Sequence, residues 1–446
     1  MTTRRRSTRR RSRMLTVAAV AALIAAGVIA RASGEPGPAP PAQRQVVGSS
    51  LGGVDCAGTA CMAVGTTGSV YGVEVPLAVS SDGGAWVSRP PVGPSQIGNS
   101  ALTAVSCATP DSCVAVGREE LPTPFFGSRA AGDRPLAESW DGNRWRRLAA
   151  AAPSGDVAEA GLNGVDCAGT SCMAVGDLGT RSGRDRAIAE SWDGRRWTLR
   201  PPAVIRPTED LALKDVACTS ASSCVAVGHF SDDSLFLGTA PLIQRWNGTE
   251  WAPDRSANAG NSTDTELAAV DCPSATACVA VGYRRLPGGR YGSFAESWDG
   301  TGWKVLPTRD PAGSPDTELA GVACPTPGTC LAVGTAVQRG TVAAFAESWD
   351  ETRWTIESPP VPSGSTASAL SSVACPGSTP QACRAVGIVW HGSPVGQALT
   401  VVRRGTNWSI SALPTTPPEP AGEGATPNAE GPVSNRPIFP SERRFV

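Results

Sequence analysis

Short apolar runs recur throughout the chain, each bounded by Gly, Pro, Ser or Asp. One representative stretch contains four of them, at Leu267–Cys272, Cys278–Gly282, Phe294–Gly300 and Trp303–Leu306. A helix would need a stretch of about eleven residues with 3.6-residue periodicity, which none of these runs provides. Short runs separated by turn residues are typical of β-strands. We therefore interpret this unit as four consecutive short strands.

The unit is repeated seven times. A cysteine ends its first run at positions 56, 107, 167, 218, 272, 324 and 375, in steps of 51, 60, 51, 54, 52 and 51 residues. Four strands in about fifty residues is the size of a β-propeller blade, whereas a β-helix has a much shorter period and a β-sandwich needs no such repetition. The sequence predicts an all-β, seven-bladed propeller with four antiparallel strands per blade over residues 46–412. The expected blades are 46–96, 97–155, 156–207, 208–261, 262–313, 314–364 and 365–412.

All fourteen cysteines fall into close pairs, with four to seven residues between the partners. A zinc site would need four converging ligands, usually with histidine support, and the chain has two histidines. Disulfides formed in an oxidising compartment explain the pattern better. Each closes the turn between the first two strands, and so small a loop contributes about 2 kcal/mol or less. The predicted disulfides are Cys56–Cys61, Cys107–Cys113, Cys167–Cys172, Cys218–Cys224, Cys272–Cys278, Cys324–Cys330 and Cys375–Cys383.

Each second strand carries the motif Ala-Val-Gly, as at Ala280–Gly282. We expect its small residues to lie where strands crowd toward the ring axis. The third and fourth strands meet at Ser-Trp-Asp-Gly-x-x-Trp or a close variant. Residues that flank a four-residue hairpin loop face each other, so the two tryptophans should pack across strands. A carbohydrate-binding platform is the alternative, but repetition at every hairpin neck favours core packing. The predicted pairs are Trp140/Trp145, Trp192/Trp197, Trp246/Trp251, Trp298/Trp303 and Trp349/Trp354.

Blade one reads Ser-Ser-Asp-Gly-Gly-Ala-Trp at 80–86, which resembles the Asp-box of sialidases and related propellers but is one residue shorter before the Trp. The resemblance covers one hairpin per blade and implies a structural turn. Sialidases also need an arginine triad, a nucleophilic Tyr with a Glu partner and an acidic Asp. The chain has only Tyr71, Tyr283 and Tyr291, without matching sequence context, so no catalytic residue is carried over. Six blades are typical of that family, against seven counted here.

A glutamate recurs in the third strand, two residues before the first Trp. It could line a functional ring, but pairing with Arg or with backbone N–H groups between blades is the better interpretation, because a buried charge must be satisfied. The position is not filled uniformly, and we expect terminal repeats to be atypical. The residues found there are Val79, Glu138, Glu190, Gln244, Glu296, Glu347 and Val401.

The N-terminus has the pattern of an export signal. Seven arginines between positions 4 and 13 precede an apolar run at 14–30, and Ala-Arg-Ala at 30–32 matches a cleavage site. Residues 1–32 are therefore a signal peptide or, if uncleaved, a signal anchor, since seventeen residues lie at the short end of a membrane span. Residues 33–45 form a linker and residues 413–446 a Pro-rich tail, both expected to be disordered. We expect an exported protein, secreted or held at the cell surface by 14–30.

The net charge of the chain bears on whether it could bind nucleic acid. From position 33 onward the chain has 31 basic and 40 acidic side chains, a net charge of −9. This balance argues against nucleic acid as a partner, since its binding requires a basic footprint.

Strand direction predicts two different faces. The disulfide turns and the Trp-Asp-Gly turns should share one face, while the variable second-to-third loops and the blade junctions share the other. Variable loops on a rigid scaffold are where binding residues tend to lie. The candidate ligand-binding residues on this variable-loop face are Phe125, Phe126, Tyr283, Arg285, Trp390 and His391.

The sequence contains no familiar catalytic motif, and neither a cofactor nor a metal site is expected. His229 and His391 fall in distant blades, which makes a two-histidine metal site improbable. The first hypothesis is a non-catalytic extracellular module that binds a protein or a glycan through the variable-loop face. The alternative is a glycoside hydrolase or polysaccharide lyase that uses carboxylates on that face. Acids clustered at the channel mouth would favour the alternative.

Overall fold

The computed structural model describes residues 48–68, 73–94, 98–121, 132–151, 153–205, 210–231, 238–258, 264–377 and 382–414. It contains seven four-stranded antiparallel sheets, each built from four consecutive strands. The expected all-β seven-bladed propeller is confirmed. The signal or anchor segment, the linker at 33–45 and residues 415–446 of the tail lie outside the described residues. Within the described part of the chain, no helix has the length and apolar character needed to cross a membrane.

The strands are numbered in chain order, four to a blade. Blades one to three contain β1 Ser49–Ala57, β2 Ala60–Gly68, β3 Glu74–Ser81, β4 Val87–Ser88, β5 Ser100–Thr109, β6 Ser112–Glu120, β7 Asp133–Trp140, β8 Trp145–Leu148, β9 Val157–Ala168, β10 Ser171–Thr180, β11 Asp185–Trp192 and β12 Trp197–Leu199. Blades four and five contain β13 Asp210–Ser220, β14 Ser223–Ser231, β15 Thr239–Trp246, β16 Trp251–Asp254, β17 Thr265–Ser274, β18 Ala277–Arg285, β19 Tyr291–Trp298 and β20 Trp303–Leu306. Blades six and seven contain β21 Thr317–Thr326, β22 Thr329–Gln338, β23 Thr341–Trp349, β24 Trp354–Glu357, β25 Ala367–Ala374, β26 Arg384–Trp390, β27 Gln397–Arg404 and β28 Asn407–Ile410.

The hydrophobic core lies between blades rather than within them. Each of its seven clusters combines apolar side chains of two neighbouring blades; Leu213 of β13, for example, packs with Val175 of β10. The seventh cluster joins the last blade to the first through residues such as Val386 and Leu51. Because a sheet buries apolar side chains on both faces here, every blade depends on its neighbours for burial.

The ring closes without exchanging a strand between the first and last blades. Ser49 N donates to the Gly396 carbonyl at 3.0 Å, and Ala398 N donates to Ser49 Oγ at 3.0 Å. Further in, Val54 N donates to Ser372 Oγ at 3.3 Å. Closure therefore depends on side-chain packing and these few hydrogen bonds.

Seven disulfides, one per blade, join the cysteine partners expected from the sequence. They extend into a cross-strand row, because the second cysteine of a pair faces the first tryptophan, which faces the second. In blade four this row runs from Cys218 through Cys224 and Trp246 to Trp251. The structure thus unites two motifs that are separate in the sequence.

The glycine of Ala-Val-Gly has a more specific role than crowding near the axis. A β-bulge interrupts the first strand opposite it, as between Leu267 and Ala269, which face Gly282 and Val281. A Cβ on Gly282 would lie 2.0 Å from the Glu266 carbonyl oxygen, and the equivalent glycine in every blade shows the same distance. Glycine is therefore required wherever the bulge forms.

Candidate ligand-binding site

The face that carries the disulfide turns is built from repeated structural hairpins. Asp299 Oδ1 accepts hydrogen bonds from Thr301 N at 2.9 Å and Gly302 N at 3.0 Å, which closes the turn. In the equivalent turn of blade two, hydrogen bonds to the exposed Asp141 carboxyl, chiefly from Arg144 N, lower its pKa to about 2. The residue in this role in the other blades that carry both tryptophans is Asp141, Asp193, Asn247 or Asp350. These side chains are engaged in holding their own turns.

The tryptophan pairs on the same face contact the neighbouring blade. Ring centroids within each pair lie 5.5–6.0 Å apart. The Arg245 guanidinium of blade four lies 3.6 Å from the Trp298 ring centroid of blade five. Trp303 is buried, and its Nε1 donates to Asp254 Oδ2 of blade four at 3.2 Å. This geometry fits the expected packing role, since an arginine already covers the ring face that a sugar would need.

The third-strand carboxylates bind the chain that links one blade to the next. Glu190 is fully buried, and its Oε2 accepts a hydrogen bond from Ala151 N, in the linker from blade two, at 2.8 Å. Gln244 has the same role in blade four, with Oε1 accepting from Ala203 N and Nε2 donating to the Ala203 carbonyl. Glu138, Glu296 and Glu347 bind the equivalent linkers. These side chains therefore pair with backbone groups between blades and do not form an open functional ring.

Blades one and seven have neither a carboxylate nor an amide at this position, and the reason is local. The bound linker residue is the sixth after the second tryptophan, as in Ala203 after Trp197. At that position the linker before blade seven has Pro360, and the chain leaving blade seven has Pro414. Proline has no N–H to donate, and the facing third strands carry Val401 and Val79. The absence of a donor explains these exceptions better than the terminal position of the repeats does.

The first strand of each blade lines a central channel, which encloses a cavity of about 280 Å³. Four aspartates lie along it, and each is tied to the backbone of the following blade. Asp166 Oδ2 accepts from Cys218 N at 2.7 Å, and Asp55 Oδ2 accepts from Cys107 N at 2.7 Å. Asp215 and Asp271 accept from Val270 N and Cys324 N.

Serines make the same connection from blade two to three and from blade seven to one, through Ser106 and Ser372. Burial is the main cause that raises the pKa of Asp166 to about 7, and that of Asp215 and Asp271 to about 6. The channel acids are thus interblade connectors, and each already accepts a hydrogen bond from the backbone of the following blade.

The bulge of each first strand directs one side chain toward the channel. These seven positions differ between blades, although the surrounding frame is nearly constant. Blades two to four carry long or polar residues here, and the others carry small ones. The residues are Gly52, Thr103, Asn163, Lys214, Ala268, Ala320 and Ser371.

A second variable position follows the glycine of Ala-Val-Gly and lies beside the bulge, toward the variable-loop face. Its occupants are Thr66, Arg118, Asp177, His229, Tyr283, Thr335 and Ile388. Polar residues at the two positions meet in blades two to five, together with Glu266, which is paired with Tyr283 in the sheet. We name this group the polar crescent: Arg118, Asn163, Asp177, Lys214, His229, Glu266 and Tyr283.

Glu266 is the centre of the polar crescent. Its Oε2 lies 3.2 Å from both Tyr283 Oη and His229 Nδ1, and its Oε1 lies 3.7 Å from Lys214 Nζ of blade four. Glu266 and His229 are buried, whereas Tyr283 is half-buried and its ring meets Tyr291 edge-on at 5.4 Å.

The other end of the crescent is a hydrogen-bonded chain from blade two to blade four. Arg118 Nη2 donates to Asn163 Oδ1 at 3.3 Å. Asn163 Nδ2 donates to Asp177 Oδ1 at 2.6 Å and to the Leu213 carbonyl at 2.8 Å. The crescent therefore crosses three blade joints and presents alternating donors and acceptors at one mouth of the channel.

The structure brings only some of the candidate ligand-binding residues predicted from the sequence close to one another. Tyr283 belongs to the crescent, and Arg285 lies two residues further along β18, where its Nη1 contacts Asp264 Oδ2 at 3.2 Å. Trp390 ends β26 and His391 follows it, exposed, on blade seven, two blades away from Tyr283. Tyr283, Arg285 and Trp390 lie in strands rather than in the loops expected for them. Phe125 and Phe126 lie outside the described residues.

The sequence interpretation missed six members of the crescent as binding residues: Arg118, Asn163, Asp177, Lys214, His229 and Glu266. The sequence signal that could have identified them is residue variation at fixed positions of otherwise matching repeats. These positions lie a few residues before the first cysteine of each pair and just after the glycine of Ala-Val-Gly. No group of three or more His, Cys, Asp or Glu side chains arranged to hold a metal ion occurs among the residues that the structure describes.

No protein-family model matches the chain, and no curated protein matches it. Among solved structures, it is similar to the GH74 xyloglucanase from Xanthomonas campestris, with 12% identity, a TM-score of 0.45, and coverage of 80% of this chain and 58% of that one. It is also similar to the β-propeller domain of the trilobed protease from Pyrococcus furiosus, with 8% identity, a TM-score of 0.46, and coverage of 83% and 100%. A protein of unknown function from Dyadobacter fermentans shows 14% identity, a TM-score of 0.41, and coverage of 70% and 94%. The chain thus spans less than two thirds of the xyloglucanase, and these likenesses concern the fold alone.

Proposed function

We propose that this protein is an exported, non-catalytic binding module whose ligand enters the channel mouth at the polar crescent. The observation that carries this proposal is the contrast between the repeated structural residues and the variable residues of the crescent. Glycines, disulfides, tryptophans and linker-binding carboxylates repeat around the ring, while the two positions that form the crescent differ from blade to blade. Variation on a constant frame is typical of recognition surfaces.

The charges of the crescent favour an uncharged, hydroxyl-rich ligand such as a glycan. Its lysine and arginine are already paired with nearby acids, at Lys214–Glu266 and Arg118–Asp133, and the neighbouring Arg285 is paired with Asp264. A charged ligand would have to compete with these pairs, whereas a hydroxyl group can both donate and accept without breaking them. The half-buried Tyr283 ring adds an apolar surface beside the polar groups.

Export is the second part of the proposal. Seven disulfides in one ring are typical of oxidising compartments and rare in the cytosol. The N-terminal arginines and the apolar run at 14–30 supply the matching sequence signal. The variable-loop face, to which the sequence assigns Phe125, Phe126, Trp390 and His391, would then be presented to extracellular glycans or proteins.

The test compares two lysines on opposite faces in the disulfide-bonded, exported chain. Lys214→Met removes the crescent ammonium, and Lys304→Met removes an exposed ammonium that pairs with Asp299 on the disulfide-turn face. On a glycan array, we expect Lys214→Met to bind its best ligand at least about tenfold more weakly, about 1.4 kcal/mol, and Lys304→Met to bind like wild type. Wild-type binding by Lys214→Met would reject the crescent. Binding to proteins but to no glycan would reject the ligand class.

A hydrolase or lyase is the second candidate, favoured by one observation. Tyr283 Oη and Glu266 Oε2 form a hydroxyl–carboxylate pair beside the channel. Binding remains the better proposal because Glu266, Asp177 and the four channel aspartates already accept hydrogen bonds or ion pairs from protein groups. Release of reducing ends or unsaturated sugars by the wild-type chain, abolished in Glu266→Gln, would instead establish the enzyme.

A further inference from the structure

Three linker-binding carboxylates leave one oxygen without a hydrogen-bond partner. Glu138, Glu190 and Glu347 are fully buried, and each accepts a linker N–H through Oε2. Their Oε1 atoms are buried and have no hydrogen-bond partner among the described residues. An ionised carboxylate in that setting loses hydration on one whole oxygen, which is costly. A protonated carboxyl would be neutral and would gain a donor at that oxygen.

Blade four shows what a neutral group does at this site. Gln244 has the same position and the same burial, and its two ends bind the N–H and the carbonyl of Ala203 together. Ala151 occupies the equivalent linker position opposite Glu190. The linker therefore offers one donor and one acceptor side by side. A protonated glutamate matches that pair, whereas a carboxylate matches only the donor.

Glu296 provides an internal contrast. Its Oε1 accepts from Ser256 Oγ at 2.5 Å and from Asn258 N at 3.1 Å, and its Oε2 accepts from Ala257 N at 3.1 Å. Burial raises the pKa of Glu296 too, but donors on both of its oxygens oppose that shift and favour the carboxylate more than the other sites do. The ring therefore contains two chemically different versions of one linker contact.

We propose that Glu138, Glu190 and Glu347 hold the blade linkers as protonated, neutral acids. The folded propeller is therefore more stable in acid and less stable above neutral pH. Burial raises the pKa of Glu138 and Glu190 to about 7 and that of Glu347 to about 8. A group whose pKa is higher in the folded state stabilises fully below its unfolded pKa near 4.5. That contribution is lost as the pH rises through the folded value.

Neighbouring charges differ between the three sites. Glu190 is the simplest site, because burial raises its pKa and the Ala151 N–H opposes that shift. Arg147 and Glu119 act on Glu138, with Arg147 Nη2 at 3.9 Å from its Oε1. Arg309, Asp310 and the Ser293 hydroxyl act on Glu347. The test therefore uses Glu190.

The experiment measures denaturant midpoints of the oxidised chain between about pH 4 and about pH 8. We expect Glu190→Gln to match wild type at the acidic end and to exceed it at the alkaline end, with about one proton fewer released on unfolding near pH 6. Gln244→Glu should do the opposite, matching wild type in acid and falling below it in alkali. Infrared difference spectra across the same range should lose one protonated-carboxyl band in Glu190→Gln.

Glu296→Gln is the matched control. Its amide nitrogen cannot accept the bonds that Glu296 receives, so this variant should be weakened at every pH. The proposal is overturned if Glu190→Gln keeps the pH dependence of wild type together with the full carboxyl band. It is also overturned if Gln244→Glu is destabilised equally in acid and in alkali, because that result would show that a protonated carboxyl does not fit the linker.

Discussion

Asp166 Oδ2 accepts a hydrogen bond from Cys218 N at 2.7 Å, so a blade-three side chain is tied to the first strand of blade four beside its disulfide. Equivalent bonds recur at six of the seven joints, and Asp166 also accepts from Ser106 Oγ of blade two. Blade six supplies no such acceptor, because Gly321 stands where blade four has Asp215 and Ala323 stands where blade three has Asp166. The inner ring of the propeller is therefore held by side chains that bind the backbone of the next blade.

We expect Asp166→Ala to lower the free energy of unfolding by about 1–3 kcal/mol, because the Cys218 N–H then loses its acceptor. Denaturant unfolding of the oxidised chain measures this loss. Ala323→Asp is the complementary variant, since it would place an acceptor at the joint that lacks one, facing Cys375. An unchanged midpoint for Asp166→Ala would show that channel water replaces the bond.

Val401→Glu should be strongly destabilising, because Val401 is fully buried and the facing linker residue, Pro360, has no N–H. Combining it with Pro360→Ala supplies the donor and recreates the contact seen between Glu190 and Ala151. We expect the two changes to be coupled favourably by about 0.5–3 kcal/mol in a double-mutant cycle. Strict additivity would contradict the rule that links proline in the linker to valine in the third strand.

Gly282→Ala should be among the most damaging single substitutions, beyond about 4 kcal/mol, because its Cβ would lie 2.0 Å from a backbone oxygen at the bulge. Gly302→Ala is the control, since a Cβ there meets nothing within 4 Å. Thermal unfolding and expression of the folded chain distinguish the two. A mild effect of Gly282→Ala would mean that the bulge can shift.

Trp298→Ala should behave as a core truncation that costs about 3–5 kcal/mol locally, because its ring packs against Trp303 and beneath Arg245. Six intact blades should buffer the global transition. Hydrogen exchange of blade-five amides measures the local loss, and ligand affinity should not change. A stable variant that had lost binding would identify the tryptophan pairs as a ligand platform.

Phe125→Ser combined with Phe126→Ser should leave folding nearly unchanged and weaken ligand binding, if these residues anchor the partner as their sequence context indicates. Comparison with Lys214→Met would show whether the ligand reaches both the crescent and the segment that contains Phe125 and Phe126. Normal binding by the double variant would restrict recognition to the channel mouth.

The sequence by itself determined the number of blades, the disulfide partners and the tryptophan pairs. These features depend on contacts within a hairpin, such as Cys218 with Cys224 or Trp298 with Trp303. Partners so close along the chain leave a regular spacing that repeats seven times. The same repetition indicated that the third-strand glutamates were structural. The pairing of Pro360 with Val401 can also be read from the sequence, but only after the structure has shown which linker residue faces the third strand.

Only the tertiary structure decided which side chains meet across blades. Lys214 and Glu266, or Asp166 and Cys218, are about fifty residues apart, and their contact depends on how neighbouring sheets pack and on where the bulge turns one side chain into the channel. Tyr283 could be singled out as an aromatic near a loop, but its strand position beside Glu266 could not. The polar crescent exists because ring closure brings variable positions of separate repeats to one mouth, and no local pattern encodes that distance.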